Sequence, residues 1–127
     1  MNIVAKFETS VAVTVAVAAG GTVIDTVDCQ SFGNILCFEV ENVGTSKAFD
    51  AFSIEVLMHD SAEWVTLNSA WTTVGPVLLY FSTALNTLAH STSGSAIIKL
   101  NGVNAVRFRA SSNTATTTAK VRGYVLG

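Results

Sequence analysis

Ala105-Val-Arg-Phe-Arg-Ala-Ser111 is the stretch on which the fold turns: Val106, Phe108 and Ala110 alternate strictly with Arg107, Arg109 and Ser111. Successive side chains on a strand project to opposite faces, so this pattern predicts a strand with one face in a core and the other in water. A turn at Ser112-Asn113 then predicts a hairpin that sets Val106 against Ala119, Phe108 against Thr117 and Ala110 against Ala115, keeping small or apolar residues on one face. The same register gathers Arg107, Arg109, Lys120 and Arg122 on a single outer, cationic surface.

Working upstream, residues 35–41 alternate in the same way, with Leu36, Phe38 and Val40 inward and Cys37, Glu39 and Glu41 outward. Residues 51–59 repeat it, with Phe52, Ile54, Val56 and Met58 inward and Ser53, Glu55 and His59 outward. Between them Asn42-Val-Gly-Thr-Ser-Lys47 has the chemistry of a turn. Further strands are expected at 3–8, 11–17, 22–28, 64–67, 77–81, 95–100 and 122–126, punctuated by Gly20-Gly21, Ser61-Ala62, Gly75-Pro76, the 91–94 segment and Asn101-Gly102. Residues 83–90 read equally as a helical turn or as a loop with buried leucines, because Leu85, Leu88 and Ala89 recur at helical spacing. Short strands at regular intervals with almost no helical periodicity predict an all-β fold: a two-sheet antiparallel β-sandwich, jelly-roll-like, of eight to ten short strands. A chain of 127 residues makes this one domain, 1–127, large enough to bury a core without metal or disulfide staples.

Charge is distributed unevenly. All nine acidic residues lie at or before Glu63, whereas Lys99, Arg107, Arg109, Lys120 and Arg122 follow with no acid among them. The net charge of −2 therefore hides a chain that is acidic in its first half and basic in its second. Either acidic strands pair with basic strands inside one sheet, or opposite faces meet neighbouring molecules; the residues leave both open. Only 13% of residues are charged, well below the roughly 25% usual for soluble domains, and this favours a surface packed against copies of itself or another partner.

The longest small-apolar run, residues 11–19, is far short of a membrane helix, and Glu8 precedes it where a secretion signal would carry basic residues. Cys29 and Cys37 are too few for a disulfide framework or a zinc site. A hairpin about Gly33 would oppose them, but it would also set Asp25 against Glu41, so two free thiols are expected.

No enzyme emerges from the motifs. A nucleophile elbow, a phosphate-cradling glycine loop and a zinc-binding helix motif are all missing from the sequence. His59-Asp60 near Glu63 falls at a strand end, where a solvated histidine is the commoner outcome. Asp25, Asp28, Glu39, Glu41 and Asp50 fit solvated faces and cross-strand pairs better than a calcium site. The basic face lacks the interleaved aromatics of a nucleic-acid binder, so no nucleic acid, metal or cofactor is expected. Trp64, Trp71 and Tyr80 form either a sugar-stacking platform or the aromatic part of the core.

Phe38-Glu-Val-Glu-Asn-Val-Gly-Thr45, continuing as Ala48-Phe-Asp-Ala-Phe-Ser-Ile54, together with Gly102-Val-Asn-Ala-Val-Arg-Phe-Arg-Ala-Ser111, resembles small β-sandwich virion proteins of tailed bacteriophages. The resemblance implies a non-enzymatic capsid decoration or cement protein, made in the host cytoplasm and carried on the virion surface. It further implies a homotrimer, seated where major capsid protein subunits meet, with no membrane partner. On this reading Arg107, Arg109, Lys120 and Arg122 are the interface. The alternatives are a receptor- or glycan-binding module of a fibre or cell surface that uses Trp64, Trp71 and Tyr80, and a phage tail or neck ring protein.

Overall fold

A computed structural model describes residues 2–17, 20–58 and 63–127. His59, with Asp60, Ser61 and Ala62, lies outside the described residues, and so does the end of the small-apolar run at Ala18 and Ala19. The described residues form eight strands: β1 (Ile3–Glu8), β2 (Val13–Val15), β3 (Thr22–Asn42), β4 (Phe49–Leu57), β5 (Val65–Asn68), β6 (Leu78–Phe81), β7 (Thr92–Ser112) and β8 (Thr117–Leu126). They join one antiparallel sheet in the order β1-β8-β3-β7-β4-β5, with β6 added to β7 and β2 to β8.

The expected all-β antiparallel sandwich is present, with one feature the sequence did not show. Segments expected as separate strands at 22–28 and 35–41 are the two halves of β3, and those at 95–100 and 105–111 are the two halves of β7. Each long strand bends instead of turning back. In β3, Gln30 and Ser31 adopt left-handed φ values of 50° and 64°, and four residues between Asp28 and Gly33 oppose one residue of β7. Such a bulge bends a strand without ending its pairing. β7 bends opposite it at Gly102, whose φ of 62° favours glycine. Ser31 Oγ hydrogen-bonds Asn104 Oδ1 at 3.1 Å and Gly102 N–H donates to Asn34 Oδ1 at 3.2 Å, so the two bends are tied together.

The bends fold the sheet on itself. One layer holds β1, β8, the second half of β3, the first half of β7, and β6; the other holds the first half of β3, the second half of β7, β4 and β5. Aromatic contacts seal them face to face. Phe38 of the first layer lies 5.0 Å from Phe108 and 5.9 Å from Phe52 of the second, and Phe7 of β1 lies 5.3 Å from Phe108. Trp71, 0% exposed, plugs the cluster and donates its indole N–H to the Phe52 carbonyl at 2.6 Å. Tilted and stacked pairs of this kind contribute about 0.5–1.5 kcal/mol each beyond area burial.

The hairpin predicted between the last two strands does not form. By the end of β7 both of its edges are taken, Ala110 standing opposite Thr22 on one side and Phe52 on the other. The chain turns through Asn113 to Ala115 and crosses to the other layer, where β8 pairs with β1, β2 and β3. The register of Val106 with Ala119 is thereby replaced by that of Val106 with Val27 and Val56. Met58, expected in the core, lies beyond the end of β4 and is 38% exposed. The 83–90 segment is a loop, and its Leu85 and Leu88 are buried.

Asn42 fastens the loops at the far end of the sandwich. Its Nδ2 donates to the carbonyls of Lys47 (2.8 Å) and Leu88 (3.1 Å), and its Oδ1 accepts from Gly44 N–H (3.2 Å) and Thr117 Oγ1 (2.7 Å). A fully buried amide is tolerated because each of these polar atoms is satisfied.

Candidate functional site

Because the two inner faces pack on each other, the two outer faces point in opposite directions, and the cations expected together are divided between them. Arg107 and Arg109 are on the second layer and Lys120 and Arg122 on the first. Three of the five cations in the second half of the chain are paired with acids of the first half within the sheet. Arg107 Nε and Arg109 Nε both donate to Glu55 Oε1, at 2.7 Å and 2.9 Å, with all three side chains at most a quarter exposed. Arg122 pairs with Glu39 at 2.8 Å on a more exposed site, and Lys120 stands opposite Glu41 in register. Partial burial works to raise the Glu55 pKa, but the hydrogen bonds and charges of the two guanidiniums outweigh it and hold the carboxyl below its ordinary range.

The outer face of the second layer is built by two rungs. Thr66, Glu55, Arg107 and Thr26 follow one another across β5, β4, β7 and β3, and Ser53 stands beside Arg109 in the next. Trp64 flanks this surface, half-buried, with the Arg107 guanidinium 4.4 Å above its ring. Arg109 Nη1 donates to the carbonyls of Gly20 (2.9 Å) and Gly21 (3.1 Å). Beside it opens a cleft of about 420 Å³, lined by Glu55 and Arg109 and by the hydroxyl side chains of Ser53, Thr66, Ser69 and Ser111.

The outer face of the first layer carries an apolar rung and an ionic one. Lys6, Tyr124, Cys37, Ile97 and Tyr80 follow one another across β1, β8, β3, β7 and β6. One step along lie Glu8, Arg122, Glu39 and Ser95. Tyr80 and Tyr124, 49% and 39% exposed, border a cleft of about 400 Å³ floored by Ile97 and Gly123. Gly123 has no room for a side chain, since a Cβ there would meet the Cys37 carbonyl. Hydrogen bonding to Cys37, then the negative charge of its thiolate form, pushes the Tyr124 phenol above its ordinary range.

Of the aromatics expected at a ligand platform, only Tyr80 stands free at a cleft. Trp71 is core, because its indole nitrogen finds a partner only inside the sandwich. Trp64 is covered by Arg107. Cys29 and Cys37 are free thiols on one continuous strand. Glu55, Tyr124 and the four hydroxyls were missed as a site. Their alternation placed each on an outer face, but which strands bring them together is set by the bends and the crossing between layers.

No protein-family model matches the chain, and no curated protein sequence matches it. Among solved structures, the crystal structure of SPBc2 prophage-derived protein YomS is similar, with a TM-score of 0.52 and 13% sequence identity over 94% of this chain and 91% of that one. The likeness spans both layers and identifies a shared fold.

Proposed function

We propose that the chain is a non-enzymatic structural protein of a tailed-phage particle, a capsid decoration protein that seats on the outer shell between major capsid protein subunits and reinforces the head. The observation that carries this reading is the fold held in common, nearly end to end, with a prophage-derived protein. The sequence resemblance to small β-sandwich virion proteins supports it independently.

The contact proposed here differs from the cationic one that the sequence suggests. Arg107, Arg109 and Arg122 are already engaged by Glu55 and Glu39, so meeting an acidic shell would mean breaking or sharing ion pairs. The rung of Tyr80, Ile97 and Tyr124 is a better anchor, since exposed aromatics beside an apolar floor supply most of the energy at typical interfaces. A clamp that binds only the expanded shell stabilises it by mass action, and assembly as a homotrimer would multiply that contact threefold.

The test is co-sedimentation of the purified chain with expanded heads of the phage that encodes it, together with immunogold labelling of whole particles. Labelling of the head surface, with binding reduced roughly 10-fold or more by Tyr124→Ser, is the expected result. Labelling confined to the tail or neck would replace decoration by a ring role, and a chain absent from particles would overturn the virion reading altogether.

A further inference from the structure

An asparagine side chain cyclises most readily when glycine follows it, because no Cβ on the next residue shields the backbone nitrogen that attacks the carboxamide. The chain has eight asparagines, and Asn101 alone precedes a glycine. The fold sets this pair at the β7 bend with the Asn101 side chain exposed. Asn42, by contrast, is buried with its amide fully engaged, and Asn34 and Asn104 are used to tie the bends together.

The bend also frees the backbone that must move. Along β3, Ile35 stands opposite Lys99 and Gly33 opposite Val103, so Leu100, Asn101 and Gly102 face a single residue, Asn34. On the other edge β6 and its approach pair with β7 no further than Lys99, and β4 pairs only from Ala105 onward. Among the described residues, then, neither edge supplies Asn101 or Gly102 with a partner in register. What holds Gly102 N–H is the side chain of Asn34, whose Oδ1 accepts from it at 3.2 Å. That bond keeps the proton on the nitrogen that has to lose it and restrains the peptide plane that has to turn. A strand bulged at this point can lengthen by one backbone atom without shifting the register of either half.

We infer that Asn101 is a site of self-modification, converted to aspartate and isoaspartate through a succinimide, and that Asn34 sets the rate. Gly102 N loses its proton and attacks Asn101 Cγ; the new C–N bond closes the ring, the bond from Cγ to the side-chain nitrogen breaks, and ammonia leaves carrying the proton. Water then opens the imide. Attack at Cγ restores the ordinary backbone and leaves aspartate, whereas attack at the main-chain carbonyl leaves the chain running through Cβ and Cγ as isoaspartate. Water is the only co-reactant. Either product places a carboxylate in the half of the chain that has no acid after Glu63. The inference does not depend on the capsid reading.

Timed incubation of the folded chain in warm, mildly alkaline buffer tests this, with peptide mass spectrometry locating each conversion and chromatography separating the two products. Conversion is expected at Asn101 before any other asparagine, as both products and faster with rising pH. Asn34→Ala should quicken it about 3-fold or more, the equivalent of one lost hydrogen bond, whereas Asn34→Asp, which keeps an acceptor oxygen, should leave the rate at or below that of the native chain. Asn101→Gln, whose longer side chain cyclises poorly, should abolish it without altering the thermal melt. Conversion led by another asparagine, an unmodified Asn101 over the time in which the urea-unfolded chain is converted, or equal rates in Asn34→Ala and the native chain would overturn the inference.

Discussion

Glu55 Oε1 lies 2.7 Å from Arg107 Nε and is shared with Arg109, so a single acid of the first half of the chain holds two bases of the second. Glu55→Gln is expected to lower stability by about 1–2 kcal/mol, because two partly buried guanidiniums lose their charged acceptor. Urea unfolding at neutral pH checks the size. The folded carboxyl titrates below its ordinary range, so its contribution is complete above the unfolded pKa and disappears as pH falls through the folded one. The gap between the native chain and Glu55→Gln should therefore close on the acid side of the ordinary carboxylate range.

Asn42→Ala should cost about 2–4 kcal/mol, since it leaves the Lys47 carbonyl, Gly44 N–H and the buried Thr117 Oγ1 without their partner and takes from the Leu88 carbonyl one of its two donors, the other being Phe49 N–H. Hydrogen exchange would show the loss first in the loops that Asn42 joins. A cost below half a kcal/mol would mean that water replaces the amide.

Gly123→Ala should destabilise by about 2 kcal/mol or more, because the new Cβ would press on the Cys37 carbonyl and come within 2.8 Å of Phe38 Cα. Backbone cannot yield as a side-chain tip can. The readout is a lowered melting temperature, with Gly75→Ala, where open space surrounds the added Cβ, as the neutral comparison.

The two thiols should differ sharply in reactivity. Cys29 is 0% exposed, and burial, reinforced by the charge of Asp28, pushes its pKa up to about 11. The thiolate is the reactive species, so alkylation at neutral pH should label the half-buried Cys37 and reach Cys29 only after unfolding. The raised folded pKa also means that stability tied to the neutral thiol is whole below the unfolded pKa and falls away as pH rises towards 11. Mass spectrometry of peptides after timed labelling distinguishes the two sites.

Alternation along the chain was enough to give the all-β class, the strand number, and the facing of Phe38, Phe52, Phe108, Glu55, Arg107 and Arg109, because inward or outward facing is a local property with period two. Gly102 and the 29–33 segment looked like ends of strands; they are bends within β7 and β3, since a bulge and a turn draw on the same residue types. The partner of each strand was out of reach for a different reason. Residues 105–111 could satisfy the same alternation against residues 115–119 or against β3 and β4, and only the filling of both edges of β7 removes the first choice. Sequence alone determined which side chains face the core and which face water along the regular strands, with Met58 beyond the end of β4 and Ala115 in the turn before β8 as exceptions. Tertiary structure decided that Glu55 meets Arg107 and Arg109, that four hydroxyls share one cleft, and that Tyr80 and Tyr124 share another, because strand neighbours are chosen by competition between distant segments for the same hydrogen-bonding edges.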